Sequence, residues 1–502
     1  LGLIKDSFLF LSGRLDIQED TRINADQHGA DEFTNDLKQS SENQSNFVSE
    51  IFFLTFAYHH YGILSIIRYS GNLGKQLDKM KEQVEKLRQD ELNGAWDGPM
   101  RTLYSNQFKN FQNQFDKMIG EKLATDGVLM DKHNIEHSIK FYNLAILWLI
   151  RCASAEKYDV DTFNRKDLPA LMKGDSKHSE IMHLPPQSPK LFSVIPEWMF
   201  DDVCEFYLYV LRVKTNYFEA ISRDEIVTFA LIFLSNSSYL RNPYLKSKLV
   251  EILYHFTHAL YQDSMGRTFG NLNDVFLTHT FARQNLIHCL TTFYIDVEQS
   301  GMHSQFYEKF SIRYHISQIF KSVWDDSHHR KMFIQESKKK EQFVRFAALL
   351  MNDTTYLLDE SLSKLKEIQT IQNELDVPLS NPGQEEQEAR NQKLQTLEQY
   401  ERQALSTMSL GRETVNMFKY LTGCSEMIDP FMAPEVVDRL AAMLNFNLVA
   451  LCGPRCSELK VREPEKYRFN PKELLNNLVQ IYINLSERSE FVMAVAKYFL
   501  LI

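Results

Sequence analysis

The sequence predicts an all-α protein, an elongated α-solenoid of degenerate armadillo- or HEAT-like helical repeats. Three observations carry that expectation. Apolar residues recur at the three- and four-residue spacing of a helix face: Leu245, Leu249, Leu253 and Phe256 joined by Ile252 and Leu260, then Val437, Leu440, Leu444, Leu448 and Leu451, then Leu474, Leu478, Ile481 and Leu485. The 502 residues hold only 18 Gly and 14 Pro, too few breakers for a turn-rich β architecture. Strand-like alternation is hardly visible anywhere. Successive amphipathic helices without strands must bury their faces on their neighbours, which is the logic of a solenoid. No fixed period emerges, so the repeats are degenerate; a compact bundle of several subdomains satisfies the same pattern.

The elements follow in order. Residues 1–48 are a polar, acidic lead-in, with NADQHGADEF and QSSENQSN reading as loop. Residues 49–194 form an N-terminal helical region that opens with FVSEIFFLTFAYHHYGILSII. Within it Leu73 to Leu92 is charged and helix-favouring, which suggests a long solvent-flanked helix. Tyr104 to Leu123 and Ile135 to Cys152 read as two more helices. Asn164 to Ser193, with Pro169, Pro185, Pro186 and Pro189, reads as a long loop. A central repeat region spans 195–378, a loop 379–385 and a C-terminal helical region 386–502. The breaker Leu379 to Gln384 splits two long charged helices, Asp353 to Leu375 and Glu386 to Tyr420. At Arg241-Asn242-Pro243, Asn242 can cap a helix and Pro243 suits its first turn.

Composition narrows function. Hydrophobic residues are 44% and charged residues 24%, the make-up of a globular protein, and 35 Phe and 22 Tyr supply apolar area to bury. The formal net charge is -10, and Lys338-Lys339-Lys340 is the only basic run. A nucleic-acid partner needs clustered cations and is excluded as the main one. Six cysteines make no disulfide framework, and LGLIKDSFLF has no signal-peptide pattern. The longest apolar stretch, Ile51 to Ile67, is interrupted by His59 and His60, so membrane insertion is not expected. A reducing compartment and a cytoplasmic location, with the nucleus as a second one, are the expectation.

No constellation points to catalysis. Cys452-x-x-x-Cys456 offers two ligands where tetrahedral zinc needs four, and reads as a Gly-Pro turn between helices with two small buried thiols. Gly71-Asn72-Leu73-Gly74-Lys75 fails the phosphate-loop spacing. Cys424 sits beside Glu426 and Asp429, which disfavour a thiolate. Adjacent pairs His59-His60 and His328-His329 point their rings apart on a helix. No cofactor and no metal are expected.

A resemblance supplies more. The runs RLAAMLNFNLVALCGPRCSELKV (Arg439 to Val461) and PEKYRFNPKELL (Pro464 to Leu475) resemble the core domain of the ubiquitin chain-elongation factors, the large ubiquitin ligases that end in a U-box. RNPYLKSKLVEIL (Arg241 to Leu253), FYIDVEQSG (Phe293 to Gly301), FYEKFSIRYHISQIFKSVW (Phe306 to Trp324) and FVRFAALLMNDTTYLLDESLSKLKEI (Phe343 to Ile368) match in order. FFLTFAYHHYGIL (Phe52 to Leu64) and TRIN (Thr21 to Asn24) are similar but less specific, and ELDVPLSNPGQEEQEARNQK is similar to the vertebrate A-type paralogue. The resemblance implies an armadillo-like core that lengthens ubiquitin chains on already ubiquitylated substrates for the proteasome. Its implied partners are a ubiquitin-conjugating enzyme, bound through a U-box, a hexameric AAA segregase and the ubiquitylated substrates. The sequence reaches Ile502 without a U-box, so this chain is expected to be inactive alone. Polar residues of the matched runs that a helix core does not need are the candidate partner contacts: Arg241, Arg313, His315, Asn445, Asn447 and Arg455. Arg313 is the sharpest, because Ile312, Ile316 and Ile319 take the apolar stripe and leave it turned away. The competing reading is that these groups cap helices or bridge repeats. At the level of function the alternative is a non-enzymatic armadillo-like scaffold, a transport or tethering adaptor, and only the matched runs weigh against it.

Overall fold

In the computed structural model, residues 21–40, 46–94, 98, 101–154, 184–213, 222–262, 268–299, 306–376, 384–454 and 456–499 are described. Apart from one two-stranded hairpin, every regular element among them is helical, and helix packs on helix in an all-α, solenoid-like arrangement. The hairpin, β1 (Ala259–Gln262) and β2 (Thr268–Asn271), is the exception to the strandless expectation; four-residue strands are too short to show alternation. The chain divides there into two compact units.

The first unit contains α1 (Gln27–Ser40), α2 (Phe47–Tyr58), α3 (Ser65–Leu92), α4 (Arg101–Leu129), α5 (Lys132–Ala153), the single turn α6 (Lys190–Ser193), α7 (Glu197–Val213), α8 (Asp224–Ser235) and α9 (Pro243–His255). Asn46 starts α2 by accepting the Val48 N–H at 2.9 Å, and Asp131 starts α5 by accepting that of Asn134 at 2.9 Å. A π-helical turn, His59–Leu64, joins α2 to α3. Phe52, Phe53 and Phe56 of α2 pack edge-on against Trp148 or Phe141 of α5, and Tyr142 stacks on Phe206 of α7 at 4.6 Å. Ile226 to Leu234 of α8 are all buried, as a helix apolar all round must be. The run Thr21 to Asn24 has a concrete role as a strap. Ile23 N–H bonds Ile195 O at 3.0 Å, Glu197 N–H bonds Thr21 O at 2.8 Å and Asn24 Nδ2 bonds Ser238 O at 3.2 Å.

The second unit holds α10 (Asp274–Thr278), α11 (Thr280–Gln299), α12 (Phe306–Val323), α13 (Ser327–Ser337), α14 (Lys340–Leu375), α15 (Gln384–Thr422), α16 (Pro434–Cys452), α17 (Pro471–Leu485) and α18 (Ser489–Phe499). The long pair α14 and α15 forms its spine. They approach closely at Gly411, where an added Cβ would lie 3.1 Å from Leu358 Cδ2. Of the expected loops, NADQHGADEF is corrected, since α1 is helical from Gln27 on, and residues 164–183 and 379–383 lie outside the described residues. Among those described, no helix is long and apolar enough to cross a membrane.

Candidate functional site

The polar chemistry of the second unit centres on Arg313. Its guanidinium donates to Asp353 at 2.6 and 2.9 Å, to Glu298 at 2.9 Å and to the Tyr294 carbonyl at 3.1 Å, and lies 4.6 Å over the Tyr294 ring. The Tyr294 hydroxyl donates to Asp353 at 2.6 Å. Arg313 is 3% exposed and Asp353 4%, so this is an interior cluster joining α11, α12 and α14, not a surface. The expectation of an outward Arg313 is therefore corrected. Ile312, Ile316 and Ile319 do form a buried stripe, but neighbouring helices also cover the other side of α12. Burial pushes the Asp353 carboxyl up from the ordinary aspartate range, against the opposing pull of Arg313 and the Tyr294 hydroxyl. Glu298, where burial also opposes ionisation, is held low by Arg313 and Lys309. Burial lowers the Arg313 value, but Tyr294, Asp353 and Glu298 outweigh it and raise the net.

The other candidates separate. Asn445 and Asn447 are fully buried. Asn445 Oδ1 accepts the Tyr482 hydroxyl and ties α16 to α17, while Asn447 Nδ2 returns to the Met443 carbonyl at 2.8 Å. Neither can reach a partner from the interior, because α16 is covered on both of the sides that carry them. His315 is half-buried, its ring against Tyr314. Arg241 is exposed at the start of α9, where Asn242 Oδ1 accepts the Tyr244 N–H at 2.9 Å. Arg455 lies outside the described residues. Of the four candidates described in the second unit, three are interior and His315 is half-buried, so they do not form one contact surface.

The run Pro464 to Leu475 is structural for a legible reason. Its 3₁₀ turn Pro464–Tyr467 is bracketed by two left-handed residues, Glu463 (φ 48°) and Arg468 (φ 52°), which cost conformational energy unless held. Tyr467, 1% exposed, holds them. Its hydroxyl donates to Glu401 of α15 at 2.7 Å and accepts from Gln372 of α14 at 3.3 Å. Lys466 pairs with Glu401 at 2.7 Å, and Arg412 grips both the Arg468 carbonyl and Glu473. Asn470 then caps α17 on the Glu473 N–H at 3.1 Å, with Pro471 first in the helix. The turn after α16 departs from expectation. Cys452 is exposed and Cys456 half-exposed, not buried, because α16 ends with its outward residues Phe446 and Val449 facing solvent.

Sequence reading missed a third cluster. At the π turn, His60 Nδ1 bonds both oxygens of Asp202 on α7, at 2.8 and 3.0 Å. Arg68 lies 3.6 Å away, and Trp198 lies against the His60 ring at 4.4 Å. Asp202 has no exposure; burial raises its pKa against the pull of His60 and Arg68. The partners are 142 residues apart, and no local signal joins them. The buried thiols are inert: burial pushes Cys152 up to about 12 and Cys204 well above its usual value. Among the described residues no group of His, Cys, Asp and Glu could hold a metal ion. The arrangement ties helices together and offers no nucleophile–base pair.

Comparison with known proteins gives these ties a context. The family model described as the ubiquitin elongating factor core matches residues 2–498. The ubiquitin conjugation factor E4 of Schizosaccharomyces pombe is 34% identical over 487 residues, covering 96% of this chain and 45% of the relative. The E4 ubiquitin-protein ligase UFD2 of Saccharomyces cerevisiae is 33% identical over 491 residues, 96% of this chain and 50% of its own length. The ubiquitin conjugation factor E4 A of Rattus norvegicus is 25% identical, over 86% of this chain and 40% of its own, so the similarity does not single out the A type. The chain spans about half the length of these curated relatives, or less. With a match across nearly every residue and a helical fold to fit it, the chain belongs to the ubiquitin elongating factor core family.

Proposed function

We propose that this chain is the helical scaffold of a ubiquitin chain-elongating ligase. It binds already ubiquitylated substrates and positions them, while a U-box in the full-length protein recruits the ubiquitin-conjugating enzyme. The observation that carries the reading is the family match over residues 2–498. The names of the yeast relatives, a ubiquitin conjugation factor and an E4 ligase, supply the reaction class. The clusters at Arg313, Tyr467 and Asp202 support a scaffold, because each fixes the register of two or three helices and so keeps a binding surface in shape. A hexameric AAA segregase belongs to the proposal as the downstream partner, with action in cytoplasm and nucleus.

The test is reconstitution with activating enzyme, conjugating enzyme, ubiquitin and a substrate carrying a short ubiquitin chain. The 502-residue chain alone is expected to capture the ubiquitylated substrate without extending it, and its fusion to a U-box to restore extension. Robust chain formation by the unfused chain, or a fusion that binds conjugating enzyme yet extends nothing, refutes the assignment.

A further inference from the structure

Of the six thiols, Cys152, Cys204 and Cys289 are buried, Cys424 and Cys456 are half-exposed and Cys452 is exposed. Cysteine is among the residue types most often buried, so two accessible thiols four positions apart need a reason. Cys452 is the last residue of α16, and Cys456 opens the 3₁₀ turn Cys456–Leu459. The chain between them doubles back. The Gly453 N–H bonds the Val449 carbonyl at 2.8 Å, and the Cys456 N–H bonds the Gly453 carbonyl at 3.1 Å, which closes a four-residue turn with Pro454 at its second position. Gly453 is extended (φ −75°, ψ −178°), and the Pro454 ring holds its own φ at about −65°. Those angles fold Cys452 back over the turn and leave its Cα about 5 Å from that of Cys456. A disulfide spans Cα separations of about 4.4–6.8 Å.

We propose that Cys452 and Cys456 form a reversible dithiol–disulfide site, a redox-sensitive clasp at the end of α16. Its oxidant is a low-molecular-weight disulfide, of which glutathione disulfide is the representative. The exposed Cys452 thiolate attacks one sulfur of the oxidant, whose S–S bond breaks. One glutathione leaves, and a mixed disulfide remains on Cys452. The Cys456 thiolate then attacks the Cys452 Sγ and expels the second glutathione. One S–S bond forms in the chain for the one broken in the oxidant; two electrons pass to glutathione, and the two protons of the protein thiols end on the two thiols released. Closure acts on packing because the turn is already anchored. Gln369 of α14 donates through Nε2 to the Ser457 and Lys460 carbonyls at 2.8 and 3.2 Å, Lys366 pairs with Glu458 at 3.3 Å, and Leu459 is buried. The ring joins the last turn of α16 covalently to that anchor, whereas the reduced turn is held by hydrogen bonds alone and is free to fray. This site is independent of the ligase reading, since it needs no ubiquitin and no conjugating enzyme.

The test equilibrates the 502-residue chain in buffers of stepped reduced-to-oxidised glutathione ratio, quenches with acid, alkylates, and weighs the intact chain and its peptides. Cys452 and Cys456 are expected to lose alkylation together, with a mass loss of about 2 Da, in one reversible two-electron transition, while Cys424 stays reactive. The closed ring should exceed the mixed disulfide by about tenfold or more, because the second thiol is held beside the first. Cys456→Ser is expected to trap the glutathione adduct on Cys452, with an unchanged melting temperature to confirm its fold. Amide exchange in the last turn of α16 should slow about tenfold in the oxidised chain, and should not slow in oxidised Cys456→Ser. Thiols that stay free at every ratio overturn the proposal, as do an adduct on Cys452 that never closes and a bond that instead joins two chains. A ring that closes without slowing exchange overturns the clasp.

Discussion

Arg313→Ala is the substitution that most directly tests whether the second unit is held by its buried charges. It deletes the bonds at 2.6 and 2.9 Å to Asp353, that at 2.9 Å to Glu298 and that at 3.1 Å to the Tyr294 carbonyl. Glu298 is partly solvated and recovers water; Asp353 cannot, and keeps only the Tyr294 hydroxyl. Leaving one member of a buried ion pair uncompensated costs about 3–5 kcal/mol. For a unit of roughly 240 residues the unfolding entropy is about 0.5 kcal/mol/K, so the expected loss in Tm is about 6–10 °C.

The pH dependence gives a second handle. Burial already raises the Asp353 pKa, and without Arg313 it rises further. A carboxyl whose folded value lies above its unfolded one is most favourable to folding when protonated, and that benefit is lost as pH rises through the folded value. The gap between Arg313→Ala and wild type must therefore narrow on acidification. Calorimetry at several pH values reads both effects. Arg313→Met combined with Asp353→Leu removes the stranded charge and is expected to recover most of the loss. A single variant melting within about 1 °C of wild type, or single and double variants equally damaged, would refute the reasoning.

Other expectations follow from the same geometry. His329 donates through Nε2–H to the Phe276 carbonyl at 2.9 Å while Nδ1 is buried without a partner; burial lowers its pKa, so its contribution is present above about pH 6.5 and lost as pH falls, and His329→Gln should flatten the melting-versus-pH curve between about pH 7 and 5. Asp326→Ala removes the cap that accepts from His328 and His329 at 3.1 and 2.9 Å and should cost about 1 kcal/mol by chemical denaturation. Gly453→Ala drives its Cβ into the Val449 carbonyl, and a loss of about 1–3 kcal/mol is expected in the same assay. Arg241→Ala, at an exposed position, should leave stability within about 0.5 kcal/mol, so any loss of capture of ubiquitylated substrate would be a binding effect.

What the sequence made legible was local. Spacing located the apolar faces of α16 and α17 and that of α9 as far as Leu253, but carried it too far, since α9 ends at His255 and Leu260 lies in β1; the Asn-Pro pair at Asn242 marked a helix start that the structure bears out. The start of α14 was not marked. It begins at Lys340, thirteen residues before the charged stretch suggests, because a helix entering the core loses the polar face that signals it. The π turn at His59 has no compositional sign at all; it exists where His60 reaches Asp202, a contact set by packing. Arg313, Asn445 and Asn447 were misplaced outside for one reason. Periodicity identifies the stripe a helix buries against one neighbour, and is silent when a second neighbour covers the opposite side.

That silence bears on how such a fold is specified. Apolar stripes on successive helices are chemically alike, so burial alone discriminates poorly between correct and shifted neighbours. Arg313 of α12 reaches two carboxylates and one carbonyl on α11 and α14, and Tyr467 reaches Glu401 and Gln372 on two helices. A one-turn slip of any of them, about 5.4 Å, strands a buried polar group. On this argument the clusters act against misregistered packings more than they deepen the native one. The Arg313→Met, Asp353→Leu variant separates the two roles. Recovered stability together with broadened near-ultraviolet circular dichroism and uneven amide exchange in α11, α12 and α14 would mark a specificity device. Recovered stability with native-like spectra would show that packing alone fixes the register, and would remove the clusters from the account of how this chain keeps its shape.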